Sequence, residues 1–147
     1  PEGIEESLVE LSPYIDQVML YNNQSAYTTA LIVPNKERLR AALKEQGLGL
    51  DTEDGRKAAL KLIDGSVARF KKGGDLETMF PDRWLPGALA IVGEAFTEQN
   101  GLVNSTMKVV RGKVEEHFAD RIEYVYTPEG KKIDNPKNLE SIKQIAK

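Results

Sequence analysis

The sequence predicts an α+β fold, a small mixed sheet made of a β-hairpin plus a central strand, flanked by helices. Three observations carry it. Apolar residues recur at helical spacing in several separate windows, and two runs rich in branched and aromatic residues flank a polar turn. One short continuous apolar run, Ala88 to Val92, reads as a strand in the middle of a sheet. Helix, two strands, two helices, strand and helix follow one another, an order that mixes both element types around one sheet.

The first helix runs from Pro1 to Leu11, with Ile4, Leu8 and Leu11 in one stripe, Val9 beside them and Ser12-Pro13 as its stop. Pro1 suits the first helical position, and Glu2, Glu5 and Glu6 read as first-turn carboxylates that oppose the helix dipole. Because the chain opens inside this pattern without Met, it reads as a piece of a longer protein. Ile15 to Tyr21 and Tyr27 to Val33 form the hairpin around Asn22-Asn23-Gln24-Ser25, and Pro34 closes it. Asn35 caps a second helix with Leu39, Ala42 and Leu43 on its buried stripe and Gly47 at its end. Asp51 or Thr52 starts a third, carrying Ala59, Ile63, Val67 and Phe70 as far as Gly73-Gly74.

Asp75 to Gly87 is irregular, with Phe80 and Trp84 read as core plugs, and Glu98 to Ser105 is a polar loop. Asn104 then caps a helix from Ser105 to about Phe118, with Met107, Val110, Val114 and Phe118 on one face. Ile122 to Tyr126 reads as a last short strand, Asn135-Pro136 as a break, and Leu139 to Ile145 as a terminal helix.

Composition excludes several chemistries. There is no Cys, which removes thiolate catalysis, iron–sulfur clusters and disulfides, and a single His leaves little for a metal site. A net charge of −3, with Arg69-Phe70-Lys71-Lys72 and Lys131-Lys132 as short surface groups, argues against nucleic acid as a partner. No apolar run approaches the ~20 residues of a membrane span, so the expected location is cytoplasmic. No Gly-rich phosphate loop, nucleophile elbow or paired His is present. His117 reads as structural. Lys108 stands out: in the first turns of its helix a cation opposes the dipole at a cost of roughly 0.3–1 kcal/mol, and rules are broken where function requires it. The plain alternative is a screened surface lysine.

The run Phe96-Thr97-Glu98-Gln99-Asn100-Gly101-Leu102-Val103-Asn104-Ser105-Thr106-Met107-Lys108-Val109-Val110-Arg111 resembles the C-terminal domain of long-chain acyl-CoA synthetases, in the AMP-forming superfamily of adenylate-forming enzymes. The opening Pro1 to Glu6, Ser12 to Val18 and Thr29 to Pro34 resemble the family in order and spacing. The resemblance implies a lid domain over residues 1–127 and a tail with a short helix over 128–147. It implies that Lys108 is the adenylation lysine, reaching the acyl carboxylate and the α-phosphate region when the lid closes. Asn100, Gly101, Thr106 and Arg111 are then the residues near substrate and nucleotide. ATP, Mg²⁺ and CoA are implied as cofactors and co-substrates, bound mainly by a large N-terminal AMP-binding domain that is also the lid's partner, with a fatty acid as acyl donor. A fragment of this kind is expected to be inactive alone, and peripheral membrane association is open for the full enzyme.

Two departures stand out. Asn104-Ser105 replaces the family's Thr-Pro, a mild change because Asn caps as well as Thr, and Val110 replaces a Lys, removing one positive charge. Arg111 alone reads as a partner for Glu115, one turn on. The rival readings are the lid of an acyl-acyl carrier protein synthetase, the lid of a peptide-assembly adenylation domain, or a non-enzymatic interaction domain binding through Phe80 to Leu85.

Overall fold

The computed structural model describes residues 2–147 and the side chains of residues 3–147, so the expected roles of Pro1 and of the Glu2 carboxylate lie outside the described residues. Helix α1 (Glu2–Leu11) buries Ile4 and Leu8, while Leu11 turns outward and is 39% exposed. Strand β1 (Ile15–Tyr21) pairs antiparallel with β2 (Thr29–Pro34), with Val18 opposite Ile32 and Leu20 opposite Ala30. At the turn, the Asn22 side chain accepts from the Ser25 amide at 2.8 Å.

Asn35 caps α2 (Lys36–Lys44) by accepting from the Arg38 amide. Of the two candidate starts for α3 (Glu53–Ala68), Thr52 is the cap, its hydroxyl accepting from Gly55 at 3.1 Å. The next segment is irregular, as expected, with one 3₁₀ turn at Asp82–Trp84. Phe80 packs on Phe70 with ring centroids 6.0 Å apart and Leu85 is buried, but Trp84 is 48% exposed with the Arg83 guanidinium 5.9 Å from its ring. The core-plug reading of Trp84 is therefore corrected.

Strand β3 (Ala88–Ile91) joins β2 in parallel, reached by a crossover through α2 and α3. The sheet order is β1-β2-β3, so β2 is the central strand and β3 lies at an edge. Continuous apolarity of β3 reflects cover on both faces, not a central place.

The C-terminal half departs most from expectation. Instead of one helix from Ser105, a turn leads into α4 (Arg111–His117), and Ile122 to Tyr126 is not a strand but lies within or just after α5 (Ala119–Val125). Asn135-Pro136 begins α6 (Pro136–Ile145) rather than breaking the chain: Asn135 caps it and Pro136 takes the first position, where no amide is needed. Lys131 is exposed, as expected, and its ammonium lies 4.7 Å over the Tyr27 ring.

Period-two alternation splits the strands between two cores. Leu20, Ala30, Ile32, Leu89 and Ile91 face α1, α2, α3 and α6, whereas Met19, Leu31, Val33, Ala90 and Val92 face Phe96, α4 and α5. Both outer strands are finished by side chains. At β3, the Asn138 amide accepts from Ile91 N at 2.9 Å and donates to Leu89 O at 3.0 Å, and Arg121 donates to Ile91 O. No helix among the described residues is long and apolar enough to cross a membrane.

Candidate functional site

The site is the loop between β3 and α4. At its root, the Gln17 side chain holds the Phe96 peptide from both sides, accepting from N at 2.8 Å and donating to O at 2.9 Å. Asn100 organises the next turn: its Oδ1 accepts from the Thr97 and Leu102 amides, and its Nδ2 donates to Ala95 O and to Glu94 Oε2. Gly101 follows at φ +78, a region open to glycine at no steric cost. Leu102 and Val103 then bury into the second core.

The tip is a tight turn on a second asparagine. Val103 bridges Val109, Asn104 N donates to Lys108 O at 2.9 Å, and Asn104 Oδ1 accepts from the amides of Thr106 and Lys108 and from the Thr106 hydroxyl. Asn104 thus caps a turn rather than a helix, using the same side-chain oxygen that the helix reading required. Met107 sits at φ +64 and is 68% exposed, so it is a turn residue and no part of a buried stripe. Lys108 is exposed and makes no ion pair among the described residues. The dipole argument for it falls with the helix; an unneutralised cation on a firmly bonded turn takes its place.

Arg111 opens α4 and does not pair with Glu115. Its Nη1 lies 3.1 Å from both Glu5 oxygens, and its Nη2 donates to Leu20 O at 2.6 Å. Glu5 also accepts from Leu20 N at 2.6 Å. It is therefore more than a first-turn helix residue. Arg111, Glu115, Trp84 and the β1 end of the hairpin border an open groove of about 670 Å³, within the range of small-molecule sites. At the far end of α4, His117 Nε2 meets Glu94 Oε1 at 2.7 Å, and that hydrogen bond, more than the one from Asn100, holds Glu94 below the ordinary carboxylate range.

The five sequence-predicted residues thus fall on one loop: Asn100 and Gly101 at its first turn, Thr106 and Lys108 at its tip, Arg111 at its exit. Sequence reasoning missed Gln17 and the tie of Glu5 to Arg111. For Glu5 a signal was present, since it lies between Ile4 and Leu8 on the side of α1 that faces the sheet. Gln17 gave none. The described residues contain no group of three or more His, Asp or Glu side chains placed to hold a metal ion.

The chain matches no protein-family model. Among curated proteins it is 26% identical to long chain acyl-CoA synthetase 8 of Arabidopsis thaliana over 84% of this chain and 17% of that protein. It is 29% identical to the probable acyl-activating enzyme 16, chloroplastic, of the same plant over 86% and 17%. With the long-chain-fatty-acid–CoA ligase 1 of Cavia porcellus the identity is 28% over 86% and 18%. The chain therefore spans about a sixth of the length of the curated relatives it matches. Among solved structures, the adenylation domain of a carboxylate reductase from Mycobacterium chelonae superposes with a TM-score of 0.66 at 26% identity, over 85% of this chain and 17% of that one. The A-PCP didomain of a Segniliparus rugosus carboxylic acid reductase, in complex with AMP, gives 0.58 at 25% identity, over 85% and 15%. In fold and in sequence, the chain is thus similar to the C-terminal part of acyl-activating enzymes of the AMP-forming, adenylate-forming superfamily.

Proposed function

We propose that this chain works as the C-terminal lid of a longer acyl-activating enzyme, which joins a fatty acid to ATP and then passes the acyl group to CoA. The observation that carries this reading is Lys108, an exposed cation at the tip of a turn whose backbone is held by Asn104 and the Val103–Val109 bridge. A carboxylate and a triphosphate repel each other. A lysine ammonium delivered between them neutralises charge and holds both in place while a carboxylate oxygen attacks the α-phosphorus and pyrophosphate leaves. No proton needs to move in that step. Thr106, Asn100 and Gly101 serve by shaping the turn, and Arg111 by fixing its exit. In this reading ATP, Mg²⁺ and the acyl chain are held mainly by the rest of the longer enzyme. Residues 1–127 form the lid proper in this reading, and 128–147 a tail whose short helix, α6, packs on the first core.

The test is AMP formation from ATP, Mg²⁺, palmitate and CoA by the full-length enzyme, with supplied palmitoyl-adenylate as a bypass. Lys108→Ala should lower the adenylation rate by about 10²-fold, the scale of one preorganised electrostatic contact, and leave acyl transfer from the supplied adenylate intact. Equal rates in variant and wild type would overturn the role of Lys108, and no AMP with any fatty acid would overturn the ligase reading. A second reading, a carrier-bound thiol as acyl acceptor in place of CoA, is favoured by the likeness to an A-PCP didomain. Replacing CoA by a phosphopantetheinylated carrier in the same assay separates the two.

A further inference from the structure

Strand β1 has β2 on one side only, so the peptide groups on its other side face away from the sheet. At Leu20 both are taken by side chains from elsewhere in the sequence: the amide donates to Glu5 Oε2 and the carbonyl accepts from Arg111 Nη2, each at 2.6 Å. Glu5 and Arg111 are in turn joined at 3.1 Å, which closes a ring of contacts through one residue of the strand. An acceptor and a donor set side by side against one residue's N–H and C=O reproduce what a neighbouring strand would offer. Glu5 is well covered, its side chain only 13% exposed, so its charge is committed to this contact.

The consequence lies at Arg111. It is the first residue of α4, three residues after Lys108, and Val110 N just before it donates to Leu102 O. The turn carrying Lys108 is thus fastened at its entry by Asn100 and Gln17 and at its exit by Arg111. Neither exit contact is local, because Glu5 lies 106 residues away and Leu20 lies 91. We propose that Glu5 and Arg111 act together as positioning residues for Lys108, locking the 103–110 turn to the open edge of the sheet at Leu20. This rests on the adenylation reading of Lys108, which the experiment probes separately. The pair differs from a plain surface ion pair, which is worth little and tolerates exchange of its members. Exchanging the two would set an arginine donor against the Leu20 amide and a glutamate acceptor against its carbonyl.

The experiment is amide hydrogen exchange on this 147-residue chain for wild type, Glu5→Ala, Arg111→Ala and the exchanged pair Glu5→Arg/Arg111→Glu. The amides of Leu20, Asn104, Lys108 and Val110 report the lock, and those of α6 report the rest of the fold. Both single variants should raise exchange at these four amides by about tenfold or more while α6 keeps its protection, as local opening does. The exchanged pair should rescue neither. Uniform loss of protection through α6 would reduce the pair to a general stabiliser and overturn the proposal, as would unchanged exchange at 103–110 or full rescue by exchange. In the full-length enzyme, Glu5→Ala should lower kcat for adenylation with little change in the KM for ATP and leave transfer from supplied adenylate unaffected. An opened turn with unchanged adenylation would overturn the positioning role while leaving the lock. If Lys108→Ala also left adenylation unchanged, the adenylation reading would fall with it.

Discussion

Met107 holds a left-handed backbone next to Lys108, in a position where a side chain beyond Cβ gains nothing from burial. Such conformations cost non-glycine residues energy and are kept where the surroundings over-determine them. Met107→Asn should therefore stabilise the chain by about 0.5 kcal/mol, because Asn tolerates this region, read as a higher urea midpoint at constant slope. Tyr124 is the second residue with a readable signature. Burial, and then the Glu129 carboxylate to which it donates at 2.6 Å, push its phenol from 10.0 up to about 12. Since the folded value is the higher, this contribution to stability is complete below pH 10 and is lost as the pH rises through about 12. Phenolate absorbance should show a step near pH 12 that Tyr124→Phe removes, while Tyr27, whose phenol burial also raises, still titrates late. Neither feature was legible in the sequence. A left-handed methionine breaks propensity for a local reason, and the partner of Tyr124 is set by the turn after α5.

At the scale of elements, legibility followed the source of each element's stability. Helices α1, α2 and α3 and the hairpin were readable because capping side chains and apolar spacing are local signals that the fold obeys. The stretch 105–110 was misread because Asn104 serves equally as a helix cap and as a turn former, and only the pairing of Val103 with Val109 decides between them. Ile122 to Tyr126 was misread because branched and aromatic residues favour strands, a weak preference that packing against β2 and β3 overrides. Of the candidate site, a polar loop carrying a lysine was visible in the sequence, but its geometry was not: Arg111 meets residues on α1 and β1 that no local spacing connects. The junction of loop and α4 should also carry a pH dependence. The folded pKa of Glu94 is depressed, so its contribution is present above the ordinary glutamate range and is lost as pH falls through the lower folded value. A urea midpoint measured against pH should fall on that acid limb for wild type and less so for His117→Phe, which removes the hydrogen bond.

For the whole molecule, two cores share one sheet, and the last helix belongs to the first of them. Ile142 is fully buried against that core, while Ser141 and Asn138 tie α6 to Arg121 and β3. Ile142→Ala should cost about 2–5 kcal/mol in chemical denaturation, as a cavity at a closely packed site does. An unchanged midpoint would mean that α6 rides on the fold without supporting it.

A three-stranded sheet ordinarily displays two rows of unsatisfied peptide groups, and either row can template a strand from another molecule. Here Leu20 on one side and Leu89 and Ile91 on the other are already engaged by Glu5, Arg111, Asn138 and Arg121. Strand addition at Leu20, Leu89 or Ile91 would first have to displace these side chains, which α1 and α6 help to supply. Fibril growth would track fraying of the two ends of the chain, not the global melting of its centre.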